Sequence, residues 1–319
     1  MNCIDVFNGD ADGICALHQL RLHIPQPEAR LVTGVKRDIA LLDRLAGVHG
    51  HRITVLDVSL DRNRAALERL LGHDNRILYV DHHYSGAVPE SDALEVHIDP
   101  SPLLCTSLIV DRLLQGAYRP WALVGAFGDN LDEVAQQQAQ DTGLDDARTA
   151  VLKDIGRLLN YNGYGLVEED LLVHPADLYR EVHRFADPFA FGRDSTLLAA
   201  LRRGYGEDMR RAADLAPYRT STSGRVFLLP TAAWSKRVVG VFANQLSREQ
   251  PEQAHATVLP QADGSYLISV RAPLATRLGA DNLCRQFPTG GGRAAAAGIN
   301  RLPERELERF LDAFARHFA

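Results

Sequence analysis

Cysteine is scarce in this chain of 319 residues, and its four occurrences, Cys3, Cys15, Cys105 and Cys284, lie far apart with no Cys-x-x-Cys pair. That spacing argues against a disulfide framework and a zinc knuckle, and leaves reduced thiols that serve packing. Positive charge is not gathered either. No run of five or more Lys or Arg occurs, and 35 basic against 41 acidic residues leave a net charge of −6. Proteins that grip long nucleic acid draw affinity from many phosphates along a basic track, so no long duplex partner is expected. Every apolar run stops short of membrane-spanning length, and Asp5 and Asp10 stand where a signal peptide would need a positive flank and an apolar core. A cytoplasmic protein without a membrane partner is therefore expected. A Gly/Ser linker and internal repeats are also missing, and Ala294 to Ala297 is the only low-complexity stretch.

What the chain does have is a regular alternation of short apolar runs and amphipathic segments. Strands are expected at 3–7, 29–33, 52–57, 76–81 and 94–98, and helices at 13–22, 38–46, 61–71 and 104–115, with Asp61 as the N-cap of the third helix. Strand, helix, strand in repetition means a parallel sheet with right-handed crossovers. From about 119 to 205 the pattern is helical, clearest over Trp121 to Phe127, Asp146 to Leu159 and Ala176 to Ala186, with Asp187-Pro188-Phe189 breaking it. After Pro217, strands are expected at 225–229, 255–259 and 266–270, the last entered from an Asp263-Gly264 turn, with helices near 235–249, 277–286 and 303–318. The expected fold class is α/β. A parallel-sheet domain with helical completion covers 1–190, a helical connector 191–217 and a smaller α/β domain 218–319, with the active-site cleft between the domains.

Three of the expected strands end on chemistry. Ile4 to Phe7 runs into Asn8-Gly9-Asp10-Ala11-Asp12-Gly13, Ile53 to Leu56 into Asp57, and Ile77 to Val80 into Asp81-His82-His83. Open α/β sheets place ligands at the carboxyl ends of their strands. If the first, third and fourth strands are neighbours, these side chains meet. Carboxylates gathered this closely repel one another, and divalent cations keep them ionised. Oxygen-rich ligation with one or two imidazoles suits Mn²⁺ or Mg²⁺ better than a structural zinc. Asp129, in Gly125-Ala126-Phe127-Gly128-Asp129-Asn130, ends an expected helix and adds a further acid. Singly, each Asp reads as a cap or a loop residue; Asp-His-His together with Asp-x-Asp-Gly does not.

In that order, Asp10-Ala11-Asp12-Gly13, Asp57, Asp81-His82-His83 and Gly128-Asp129 resemble the four motifs of the DHH phosphoesterase superfamily. Gly290-Gly291-Gly292-Arg293 with Ala296-Ala297-Gly298 resembles the glycine motif of the DHH-associated substrate-binding domain, as in members of nanoRNase or oligoribonuclease type. The resemblance implies a phosphohydrolase with two Mn²⁺, or Mg²⁺, ions. Asp10, Asp12, Asp57, His82 and Asp129 would be metal ligands, with Asp57 the bridge, and His83, with Asp81, would lie beside the substrate phosphate. Arg271 matches a family position that contacts substrate. Two positions depart from the pattern. Val6 stands where many members carry histidine and Asn8 where the single-strand exonucleases often carry an acid, so Asn8 is assigned to metal or substrate through its carbonyl. Arg293 replaces a usual histidine and offers a bidentate fork for phosphate.

In the second domain the three glycines let backbone N–H groups approach an anion, and the alanine run is expected to open a helix whose N-terminus favours negative charge. The glycine context of Arg293 shows no packing purpose in the sequence. Thr106 and Ser107 read as helix capping and Asn160 to Gly165 as a turn; His18, His174 and His183 receive no role. The leading expectation is a manganese-dependent phosphodiesterase that cleaves short linear nucleotides, di- to oligonucleotides, into mononucleotides with metal-activated water. A cyclic-dinucleotide phosphodiesterase, a phosphatase of bisphosphorylated nucleotides and a polyphosphatase share that chemistry. A decayed nucleotide sensor is the alternative of another class, and a homodimer stays open.

Overall fold

A computed structural model describes residues 2–319 and divides the chain into two compact units, 1–204 and 205–319. The first unit opens with β1 (Cys3–Phe7), α1 (Ala11–His23), β2 (Arg30–Val32), β3 (Arg52–Leu56), α2 (Leu60–Leu71), β4 (Arg76–Asp81) and β5 (Leu94–Ile98). All five strands are parallel, in the order β2-β1-β3-β4-β5, so the neighbour condition on β1, β3 and β4 is met. The chain leaves β1 to one side for β2 and returns to the other for β3. That reversal opens a crevice outside the carboxyl ends of β1 and β3, where sheets of this kind bind ligands.

One face of the sheet packs Val6, Val55, Ile53, Ile77 and Tyr79 against Leu60, Leu67 and Leu70 of α2. On α1, Arg21 reaches back beneath the sheet to Asp5 on β1, Nε to Oδ2 at 2.9 Å, and to Thr54 on β3 at 2.8 Å. Helices α3 (Thr106–Leu113), α4 (Arg119–Gly128), α5 (Asp132–Asp141), α6 (Asp146–Gly163), α7 (Pro175–His183), α8 (Pro188–Asp194) and α9 (Thr196–Ala213) complete the unit, the last crossing into the second.

Among the helix boundaries that differ from expectation, two lie early in the chain. The segment 38–46 supplies only a short 3₁₀ turn, Leu41–Leu45, and α2 starts after Ser59, so Asp61 lies inside its first turn and not at the cap. There its charge still favours the helix N-terminus. Asp187 does break the helical pattern, and its carboxylate caps α8 through the N–H groups of Phe189 and Ala190.

Helices α4 and α6 meet through glycine. A Cβ on Gly156 would stand 2.3 Å from the Val124 carbonyl and one on Gly128 2.2 Å from the Ala11 side chain. Gly156→Ala should therefore force the helices apart and cost about 1–3 kcal/mol, the usual size of overpacking. Thermal unfolding of the two proteins tests this; an unchanged midpoint would show that the contact yields freely.

The second unit carries β6 (Arg219–Ser221), β7 (Gly224–Leu228), α10 (Ala233–Glu249), β8 (Ala254–Pro260), β9 (Ser265–Arg271), α11 (Ala280–Cys284), β10 (Gly290–Gly292), β11 (Ala296–Pro303) and α12 (Leu307–His317). Its mixed sheet runs β10-β11-β9-β8-β7-β6. Leu283, Phe287, Phe310 and Phe314 cover one face with Val226, Ile268 and Val270, while Phe242 of α10 meets Phe227 edge-on. The α/β class expected from the sequence is the class observed.

Candidate metal centre and active site

The alternation that drives β1 into the sheet ends at Asn8, and the next turn makes Asp10 the N-cap of α1. Asp10 Oδ1 accepts from the N–H groups of Asp12 and Gly13, each at 3.1 Å. Gly13 is needed there because a Cβ would stand 2.2 Å from the Asn8 carbonyl. Asp12, in the first turn of α1, lies across the start of α3: its Oδ2 accepts from the Thr106 N–H at 2.7 Å and its Oδ1 from the Ser107 N–H at 2.8 Å. A carboxylate whose two oxygens each accept from an N–H at the start of a helix is fixed in orientation. Thr106 and Ser107 are thus part of the site and not caps alone. Cys105 holds the cap position of α3, and the Thr106 hydroxyl donates to Asp57 Oδ1 at 3.1 Å.

Asp57 follows β3 with φ at +58°, a left-handed conformation that Asp adopts more readily than most residues. From β4, His82 Nδ1 meets the Leu104 carbonyl at 3.1 Å; a carbonyl can only accept, so Nδ1 carries the proton. Nε2 then faces the acids, 3.4 Å from Asp57 Oδ1 and 3.8 Å from Asp129 Oδ2. Asp129 is the C-cap residue of α4, at the helix end where the sequence placed it. Asp81 is fully buried and accepts from His83 Nδ1–H at 2.7 Å.

The four motifs expected to converge therefore do converge. Donor atoms of Asp12, His82 and Asp129 lie within 4.8 Å of one another, as do those of Asp57, His82 and His83. Asn8 contributes a buried Oδ1 without a hydrogen-bond partner among the described residues. Carboxylate oxygens with one imidazole whose outer nitrogen is held by a carbonyl form a donor set suited to Mn²⁺ or Mg²⁺. Like charges at such separations repel by about 3–4 kcal/mol at an effective dielectric near 20, and a bound cation removes that cost.

Lys36, in the segment after β2, was not legible as a site residue. Its Nζ lies 2.5 Å from Asp10 Oδ2, 3.1 Å from Asp129 Oδ1 and 3.5 Å from Asn160 Oδ1. The one available signal was its place just past a strand beside β1, which brings it to the same edge. Burial opposes charge throughout the cluster. It pushes the Asp57 carboxyl well up, and the charges of Asp10 and Asp12 add to this. It raises Asp129 too, against the pull of Lys36. For Asp10 burial again pushes upward, but the charge and hydrogen bond of Lys36, together with the hydrogen bonds from the Gly13 N–H and from Asp57, bring the carboxyl below its ordinary value. The Lys36 ammonium, although burial opposes it, is held well above its own ordinary value by Asp10 and Asp129. His82 is likewise disfavoured by burial as a cation, yet its hydrogen bond to Asp57 and the charges of Asp12, Asp57 and Asp129 push it up to about 10.

In the second unit, the glycine motif is a hairpin and not a loop opening a helix. Gly290 pairs with Ile299, Gly291 with Gly298 and Gly292 with Ala297, and Arg293 and Ala296 exchange backbone hydrogen bonds at the tip. Alanine propensity lost to cross-strand pairing here. Two of the glycines do have packing reasons: a Cβ on Gly290 would meet the Cys284 carbonyl at 1.8 Å, and Gly292 has φ at +138°. Gly291 alone faces open space. Arg293 is exposed, with no partner for its guanidinium among the described residues, whereas Arg271 is held by Asn244 at 2.6 Å and Ser269 at 2.8 Å. Residues 160–163, expected in a turn, are instead the buried last turn of α6, with Asn162 tied to Val173.

No protein-family model matches the chain, and no curated protein matches its sequence. Solved structures do. Exonuclease RecJ bound to manganese superposes with a TM-score of 0.59 at 16% identity, over 99% of this chain and 89% of that one. A pGpG-specific phosphodiesterase, PggH, from Vibrio cholerae matches with 0.53 at 10% identity, over 100% and 99%. CDC45 from Entamoeba histolytica matches with 0.50 at 7% identity, over 99% and 95%. At these identities the likeness is one of fold, and it spans both units. Among the described residues no helix is long and apolar enough to cross a membrane.

Proposed function

Since the chain has the fold of the DHH phosphoesterases, we propose that it is a divalent-metal-dependent phosphodiesterase that hydrolyses short linear nucleotides to mononucleotides. The observation that carries this reading is the meeting of Asp12, Asp57, His82 and Asp129 at the carboxyl edge of the sheet. The fold is shared with an exonuclease bound to manganese and with a pGpG-specific phosphodiesterase, and the chain has no basic track for long strands.

In this reading Asp12, Asp57, His82 and Asp129 hold the cation, which is Mn²⁺ or Mg²⁺, and Asn8 adds its carbonyl. The ion, when bound, acidifies water and draws off charge developing on the phosphoryl oxygens. Asp81 accepts from His83 Nδ1–H and fixes the orientation of the ring, and His83 is assigned a place beside the substrate phosphate. Asp81 is thus a positioning residue. Thr106 orients Asp57 through its hydroxyl and keeps that carboxylate from turning away.

Gly291 and Arg293 of the hairpin are assigned to substrate phosphate, Gly291 because it leaves the backbone open and Arg293 because its fork is uncommitted. Arg271, by its place at the end of β9, is assigned beside them. Arg293→Ala should fold normally and lower kcat/KM about 10–100-fold, the worth of one charge-assisted contact of roughly 1.5–3 kcal/mol. Steady-state kinetics on a dinucleotide check this; unaltered kcat/KM would remove Arg293 from the site.

The assignment of substrate is tested by incubating the protein and Mn²⁺ with linear dinucleotides, cyclic dinucleotides, long single strands, bisphosphorylated nucleotides and polyphosphate. Preferential release of mononucleotides from linear dinucleotides is expected. Equal turnover of long strands would contradict the preference for short substrates.

A further inference from the structure

We propose that Lys36 takes the place of one of the two cations implied by the family resemblance, so that this centre binds a single divalent ion. The inference rests on the metal-dependent reading of the site. Lys36 Nζ lies among three oxygens, Asp10 Oδ2, Asp129 Oδ1 and Asn160 Oδ1, at 2.5, 3.1 and 3.5 Å. Asp129 divides its oxygens, Oδ1 toward Lys36 and Oδ2 toward His82, as a carboxylate bridging two positive centres would. The other Asp10 oxygen is taken up by the N–H groups of Asp12 and Gly13.

Neither group of donors close enough for a cation includes Asp10, and both groups use His82. His82 has one lone pair to give, because Nδ1–H is committed to Leu104. An ion held by one group therefore leaves the other without His82 and with only two of its three donors. Lys36 is also tethered. Its backbone N–H donates to the Gly163 carbonyl at 2.9 Å, and its carbonyl faces the Asn8 amide at 3.5 Å, so the ammonium is delivered by a held segment. With a neutral Asn8 beside it, one ammonium and one divalent ion serve the carboxylates that two ions would otherwise share.

The test is a count of manganese. Wild-type protein and the variants Lys36→Met and Lys36→Gln, each checked for folding by circular dichroism, are stripped with chelator and dialysed against Mn²⁺. Bound metal is then measured by elemental analysis and its coupling by electron paramagnetic resonance. One Mn²⁺ per chain with an uncoupled six-line signal is expected for the wild type, and two with a broadened, exchange-coupled signal for a folded variant. Two ions in the wild type, or one in a folded variant, would overturn the role of Lys36 and leave the metal-dependent reading standing. No Mn²⁺ in any of the proteins would overturn both.

Discussion

Asp57→Asn is expected to lower hydrolysis about a thousandfold while leaving the metal-free protein at least as stable as the wild type. The two halves have one cause. Asp57 is buried near Asp10 and Asp12, and these neighbours with burial push its carboxyl well above the ordinary value. A carboxyl raised in the folded state contributes stability only at low pH, and that contribution is lost as pH rises through the folded value. At neutral pH the ionised group is therefore a liability in the absence of a divalent ion, one that the neighbouring His82 relieves only in part. Asparagine keeps the shape, tolerates φ at +58° and still accepts from Thr106, so the fold loses little. What it removes is the negative charge that holds a cation. Loss of groups behind a metal ligand costs about 10–100-fold; loss of the ligand's own charge should exceed that and reach roughly 4 kcal/mol of transition-state stabilisation. Gain or constancy of the unfolding midpoint in chelator, measured beside the activity, separates this from simple damage.

The second large effect concerns pH. In the metal-free protein His82 is pushed up to about 10 from an ordinary 6.5. The folded state then binds more protons than the unfolded chain across that window, so stability is full below about 6.5 and declines as pH rises toward 10. The decline attributable to His82 is as much as about 4 kcal/mol. A bound divalent ion needs the neutral imidazole and competes with that proton, so the same scan with saturating Mn²⁺ should be much flatter. Unfolding midpoints from pH 6 to 10, with chelator and with Mn²⁺, provide the comparison. Parallel curves would mean that His82 does not serve the ion.

Much of the centre could be read in the sequence because its acids end β-rich runs: once Val6, Val55 and Tyr79 place three strands in a sheet, Asp10, Asp57 and Asp81 share an edge. Asp129 was legible from the glycine that precedes it at the end of a helix. Lys36 was not, since it follows a strand of three residues, and its neighbours depend on that strand lying beside β1. The glycine hairpin was misread for a related reason. Alanine favours helix locally, but pairing with β9 and the close approach of Gly298 to the Ile268 carbonyl, 2.7 Å from where a Cβ would lie, decide the strand. Such contacts are set by residues remote in sequence. The same holds for residues 160–163, which α6 absorbs through the buried tie of Asn162 to Val173.

The most direct measurement is the release of mononucleotides from a linear dinucleotide by chelator-treated wild-type and Asp57→Asn proteins, followed by chromatography as Mn²⁺ is titrated back. The wild type should be inactive without metal and recover with added Mn²⁺, and the variant should stay near the uncatalysed level. Cleavage that survives chelation, or a variant that recovers alongside the wild type, would contradict a metal centre at these carboxylates.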